Sequence, residues 1–277
     1  MLRIITDSST LYTVEEGKKL QIDVVPLSVT INGQTYREYE ELDAEQFHAI
    51  IDQGFIPTSS QPPIGEYLAL FEKYAEDDIL VIAMADGLSG TYQSCAGAKE
   101  MTDRSNIVVI NSKTLSIPHR LLVNRAITMR DQGYTLAEIV AELQTKCETS
   151  KSFLLPQDFD FLQRGGRLTT MAAKISGLLK IQPVVMQTSD GTRLEKFTVG
   201  RNFNKAVDKV LDHLKAAGIG EDYHFCISHA FVPEQAQAVA KKIQAQFNVQ
   251  QVELAELSCV FITQGGPYCL AIQVIQK

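Results

Sequence analysis

Short runs of Ile, Val and Leu alternate with longer helical segments through the first half of this chain. That alternation constrains the fold more than any other feature. The apolar runs are "LRIIT", "DVVPLSV", "DILVIAMA", "NIVVINS" and "KSFLLP". The helical segments among them are "DAEQFHAIIDQG", "PIGEYLALFEKYA", "TYQSCAGAKEM", "HRLLVNRAITMRDQG" and "TLAEIVAELQTKCE". Apolar runs without polar alternation read as strands buried on both faces. Strands separated by helices make βαβ units around a parallel sheet. Asn32-Gly33 in "INGQTYRE" predicts one antiparallel hairpin within that pattern.

Beyond Pro156 the texture changes. "DFDFLQRGGRLTTMAAKISGLLK" predicts a short helix, a glycine loop and another helix, and "IQPVVMQTSDGTRLEKFTVG" two strands joined at Asp190-Gly191. A long helix over Asn202–Ala217 follows, then the strand "YHFCISHA", the helix "PEQAQAVAKKIQAQF" and the strands "QVELAEL" and "YCLAIQVIQ". The expected architecture is α/β in two domains. Residues 1–156 form a three-layer domain on a parallel sheet and residues 157–277 a two-layer α/β sandwich, the two packed closely about a cleft.

Composition removes several function classes. A net charge of −7, with no block of five or more Lys/Arg, argues against nucleic acid, whose phosphates need a basic face. The longest apolar runs are far too short to cross a bilayer, and "MLRIITDSST" has no signal-peptide h-region. Five cysteines without a CxxC pair read as reduced thiols of a cytoplasmic protein. His48, His119, His213, His224 and His229 show no metal-binding spacing, so no metal is expected.

Five segments carry candidate chemistry. "TDSS" (Thr6–Ser9) ends the first strand, where open parallel sheets bind ligands, although an Asp-Ser pair also caps turns. "PTSSQPP" (Pro57–Pro63) places Thr58, Ser59 and Ser60 just outside a helix N-terminus at Pro63, one hydroxyl as a cap and the others in excess of capping. "DGLSGTYQSC" places Ser89, Gly90 and Thr91 where a buried strand gives way to a helix, which suits an anion. The segment has neither a nucleotide-binding fingerprint nor a G-x-S-x-G elbow, and it has no lysine, so a single carboxylate fits it best. "LQRGGRL" flanks Gly165-Gly166 with Arg164 and Arg167, which fork onto a carboxylate or phosphate or simply border a solvated turn. "VFITQGGPYC" reads as a glycine turn between two apolar strands, with Gln264 as an amide donor. A Ser–His–Asp site from Ser89, His229 and Asp7 is conceivable, but nothing in the spacing requires it.

In this order ("TDS", "TSSQP", "LSGTYQSC", "INSKTLS", "LQRGGR", "IQPVV" with "DG", and a late "GP" turn) the motifs resemble the DegV family over nearly the whole chain. The family includes the fatty-acid-binding subunits of bacterial fatty acid kinase, which serve phospholipid metabolism. The resemblance implies one long-chain fatty acid (palmitate, stearate or oleate class) in an apolar tunnel between two α/β domains. It implies a carboxylate held by Ser59, with Ser60 beside it, and by Ser89, Gly90 and Thr91. Arg167, with Arg164 close by, would stand at the head-group rim or at the contact with a separate kinase subunit that makes the acyl phosphate. By this resemblance the chain has no catalytic residues or cofactor of its own, and its contact with membranes is at most transient.

The chain departs from the family pattern in its last motif. Where the family reads "GTHTGPG" this chain reads "ITQGGPY", so Gln264 replaces the histidine that reaches the carboxylate and Tyr268 replaces the final glycine. A glutamine amide donates a hydrogen bond but carries no charge. Pro118-His119 also replaces a family glycine and is expected at the same rim. The alternative to lipid binding is a divergent member that takes another small metabolite, or a weak hydrolase.

Overall fold

The computed structural model describes residues 1–175 and 181–277, and the chain divides into two compact units. The first comprises Met1–Glu148 with Ser258–Val260, the second Thr149–Leu257 with Phe261–Lys277.

The first unit runs β1 (Leu2–Asp7), α1 (Val14–Lys19), β2 (Asp23–Val25), β3 (Ser28–Ile31), β4 (Gln34–Arg37), α2 (Ala44–Ile51), β5 (Thr58–Ser60), α3 (Ile64–Lys73), β6 (Asp78–Ala83), α4 (Thr91–Glu100), β7 (Ile107–Asn111), α5 (Ile117–Asp131) and α6 (Leu136–Cys147). Strands β2-β1-β6-β7 form the expected parallel sheet, in register at Ile5↔Val81 and Val81↔Val109. Alternate residues face opposite layers. Ile5, Val81 and Ile107 pack with Tyr67 and Phe71 of α3 and Cys95 and Ala98 of α4. Thr6, one residue along, meets His119 of α5 on the other face. The helices start as their sequences dictate: Thr13/Glu16, Asp43/Gln46 and Thr135/Glu138 all form reciprocal capping boxes.

The order β2-β1-β6-β7 reverses between β1 and β6, since the chain leaves β1 toward one side and β6 toward the other. The crevice beyond the carboxyl ends of β1 and β6 is therefore the expected ligand position. "DVVPLSV" is not one strand. Pro26 removes a ladder donor, and the chain splits into β2 of the parallel sheet and β3 of a small antiparallel sheet, β4-β3-β5. Asn32 (φ 51) and Gly33 (φ 73) make the β3–β4 hairpin as read from the sequence.

The second unit runs β8 (Lys151–Leu155), α7 (Phe159–Arg164), β9 (Gln182–Gln187), β10 (Leu194–Gly200), α8 (Phe203–Ala216), β11 (Tyr223–His229), α9 (Pro233–Phe247), β12 (Glu253–Glu256), α10 (Cys259–Gly265, counted here from Phe261) and β13 (Leu270–Gln276). Its sheet has the order β10-β9-β8-β13-β11-β12. The stripes Ala206/Val207/Val210/Leu211/Leu214 of α8 and Ala236/Val239/Ala240/Ile243/Phe247 of α9 share one core with Phe153, Val184, Phe225 and Ile272 of the sheet. This is the expected two-layer sandwich.

Two differences from the sequence reading have physical causes. "KSFLLP" belongs to the second sheet as β8, because it pairs antiparallel with β13 and β9, so the division falls after Glu148 and not after 156. "VFITQG" is helical (α10), ended by Gly266 at φ 80, whose amide returns to Ile262 O. Of the segment expected to form a helix after the glycine loop, Ala172–Ile175 make a 3-10 turn, and residues 176–180 lie outside the described residues.

Candidate functional site

The "TDSS" segment at the end of β1 is bonded into the structure. One oxygen of Asp7 accepts the Ser9 amide and the other the Met84 amide at the end of β6, both at 2.9 Å. Asp7 therefore braces the two strand ends at the switch point. Ser9 Oγ lies 2.9 Å from His119 Nδ1, and His119 Nε2 lies 3.0 Å from Ile82 O. A carbonyl only accepts, so Nε2 carries the proton and Nδ1 accepts the Ser9 hydroxyl. Burial lowers the His119 pKa, which keeps it neutral. Pro118 and His119 are thus buried structural residues, not parts of an exposed rim.

Ser8 donates to Glu38 Oε2 at 2.6 Å and accepts the Leu27 amide. Glu38 is itself buried, and its Oε1 accepts the Val260 amide at 2.8 Å. Burial raises the Glu38 carboxyl to about 7, against the pull of the Ser258 and Ser8 hydroxyls and the Val260 amide. Sequence reasoning missed this carboxylate because Glu38 sits in an ordinary charged run, "REYEELD".

The turn after β6 is built differently. Gly87 takes φ 84, and Gly90 occupies the N-cap position of α4 with no side-chain cap. Helix geometry leaves the first-turn amides without intrahelical acceptors. Ser89 Oγ lies 2.8 Å from Thr91 Oγ1 and accepts the Thr91 amide at 3.3 Å. Thr91 is wholly buried and Ser89 half-buried, so Ser89 is the hydroxyl that faces outward. A Cβ at Gly90 would overlap the amide of Gln61, whose Nε2 donates to Ser94 Oγ at 3.0 Å. The "TSSQ" and "LSGT" segments therefore meet through Gln61.

Thr58, Ser59 and Ser60 differ from expectation. They form β5, paired with β3 at Val29↔Ser59, and the cap position of α3 is Pro63 with no side-chain bond. None of the three hydroxyls caps that helix. Pairing with β3 leaves Ser59 half-buried and Ser60 exposed.

In the second unit, "LQRGGR" ends α7 and turns at Gly166 (φ 71). Arg167 Nη1 donates to Gly165 O at 2.6 Å. Arg164 instead lies over the Phe161 ring, 4.8 Å from its centroid. Gln264, near the end of α10, lies against the same turn, since a Cβ at Gly165 would overlap its Oε1. Tyr268 follows at φ 64 with its side chain exposed.

Among the described residues no group of three or more His, Cys, Asp or Glu could hold a metal. Among the same residues no helix is long and apolar enough to cross a membrane. All five cysteines are buried, and none of them is in a disulfide.

A parallel α/β unit with hydroxyls at its switch point, followed by an α/β sandwich with an arginine-glycine turn, defines a two-unit α/β class. The family model described as "Uncharacterised protein, DegV family" matches residues 1–277, and the chain belongs to that family, as the order of its motifs indicated. A DegV domain-containing protein of Listeria innocua is 31% identical over 276 residues (98% of this chain, 97% of that protein). Protein DegV of Bacillus subtilis is 30% identical, with 98% of each chain covered. Among solved structures, a fatty-acid-binding DegV family protein of Thermus thermophilus superimposes with a TM-score of 0.88 at 25% identity, covering 100% of this chain and 99% of that one. DegV of Bacillus subtilis, described as a fatty acid binding protein, superimposes at 0.85 and 29% identity with the same coverage.

Proposed function

We propose that this chain binds one long-chain fatty acid, of the palmitate, stearate or oleate class, and presents its carboxylate to a separate kinase subunit that forms the acyl phosphate. The acyl chain lies in an apolar tunnel. Its carboxylate rests against Ser89 and the amides of Gly90 and Thr91, with Ser59 and Ser60 as further hydroxyls. Gln264 is the residue of the second unit assigned to the head group, and Arg164 and Arg167 are assigned to the rim or to the partner contact. The chain performs no chemistry of its own, acts in the cytosol and touches membranes at most transiently.

The observation that carries this reading is the uncapped N-terminus of α4 at the sheet's switch point. It offers a half-buried hydroxyl and backbone amides with no cation among them. Such a site orients and satisfies one carboxylate but supplies modest affinity. The rest comes from the tail: about 16 carbons at roughly 0.8 kcal/mol per CH₂ is on the order of a dozen kcal/mol before binding costs. The fatty acid descriptions of the Thermus and Bacillus relatives support the same ligand class.

Calorimetric titration of delipidated protein with palmitate tests the reading. Saturable one-to-one uptake is expected, weakened at least about tenfold in Ser89→Ala by loss of a hydrogen bond to a charged group. A Ser89→Ala protein of unchanged affinity would move the carboxylate away from this turn. Absence of uptake would turn the search to another small metabolite.

A further inference from the structure

The arginine-glycine turn of the second unit has a member that no sequence motif marks. Arg193 closes the β9–β10 connection, and its Nη1 donates to Gly166 O at 2.9 Å, next to the Gly165 carbonyl that Arg167 engages. The backbones are pinned together as well. The Leu194 amide donates to Arg167 O at 2.9 Å, and the Thr169 amide donates to Leu194 O at 2.8 Å. Two guanidiniums are thus held on adjacent carbonyls of one turn, and the charge of Arg193 acts on half-buried Arg167.

Among the described residues Arg193 has no acid to answer it. The nearest carboxylate in its own turn, Asp190, is occupied: its Oδ1 accepts the Thr188 hydroxyl at 2.6 Å and the Thr192 amide and hydroxyl at 3.0 and 2.9 Å. Those bonds hold Asp190 at about 2. The side-chain bond of Arg193 to Gly166 O leaves the outer N–H groups of an exposed guanidinium open. Like charges brought together on a rigid turn repel, and that cost is recovered when an anion bridges them.

One carboxylate does not need two guanidiniums, because hydroxyls and amides satisfy its single charge. A phosphoryl group carries two charges and three oxygens, which matches two forked donors. We infer that Arg193 is a specificity-determining residue, forming with Arg167 a clamp on the Gly165-Gly166 turn that selects a lipid-linked phosphoryl dianion over a carboxylate. This rests on the reading that the bound acyl group becomes an acyl phosphate. It adds to that reading how the protein tells product from substrate, and it assigns the second guanidinium to Arg193, with Arg164 stacked on Phe161.

The test compares hexadecylphosphonate, a stable stand-in for the acyl phosphate, with palmitate on delipidated full-length protein. Titrations are run at mildly alkaline pH, where the phosphonate is dianionic. Arg193→Gln is expected to weaken the phosphonate about tenfold, to leave palmitate within about twofold and to leave the circular dichroism spectrum unchanged. Equal losses for both ligands, or no loss for either, would overturn the clamp while the fatty acid reading stands. Binding of palmitate without binding of phosphonate by the unaltered protein would do the same. Displacement of the phosphonate by an equal concentration of inorganic phosphate would show a free-anion site and overturn the lipid-linked form. If the unaltered protein takes up neither lipid, the fatty acid reading falls and the clamp with it.

Discussion

Replacing Glu38 with glutamine should make the first unit more stable above neutral pH and change little in mild acid. The carboxyl is buried between Ser8 and the Val260 amide, and burial raises it from 4.5 to about 7. Below about pH 4.5 the folded and unfolded chains both hold this proton, and well above 7 neither does. In between, the folded chain holds it and the unfolded chain does not, so stability is lost as pH rises through this window. The gap is worth about 3 kcal/mol at about 1.4 kcal/mol per pH unit. The amide introduced by Glu38→Gln would keep an oxygen for the Val260 amide and remove the titration. Urea unfolding followed by circular dichroism, at about pH 5 and about pH 8, measures the effect. The unaltered protein should lose about 3 kcal/mol more than Glu38→Gln between the two conditions. Parallel pH profiles would show that Glu38 does not hold its proton through this range, and the reasoning from burial would fail.

Two further substitutions probe the binding turns. Gly90→Ala forces a Cβ into the Gln61 amide, so it should break the Gln61–Ser94 bond and weaken palmitate about fivefold without unfolding the protein; unchanged affinity would detach Gln61 from the site. Gln264→His adds a group that charges below about pH 6.5. Palmitate affinity, flat with pH near neutrality in the unaltered protein, should then rise on acidification, and parallel profiles would exclude position 264 from the head group.

The layered α/β plan was legible because its signals are local. The Asn202 cap and the apolar stripe of α8, the Thr135/Glu138 capping box of α6 and the Asn32-Gly33 hairpin each appear within a few residues of sequence. Partner choice is not local. "KSFLLP" looks like any buried strand, and it is drawn into the second sheet by pairing with β9 and with β13, the latter more than a hundred residues on. "VFITQG" is rich in β-branched residues, yet it forms a helix that Gly266 ends, a tertiary outcome that propensity opposes.

The candidate site divides in the same way. Gly90 and Ser89 announce an uncapped helix start, and the structure builds one there. The three hydroxyls of "TSS" announce a cap, but pairing with Val29 makes them a strand. Arg193 and Glu38 gave no signal because each gains its meaning from a neighbour distant in sequence, Gly166 for one and Val260 for the other.

The central claim is that a fatty acid is this protein's ligand. Native mass spectrometry of the freshly purified protein, followed by denaturing extraction and identification of the released small molecule, tests it most directly. The account predicts one long-chain fatty acid per chain at near-stoichiometric occupancy. An empty protein that also ignores added palmitate and oleate would contradict it.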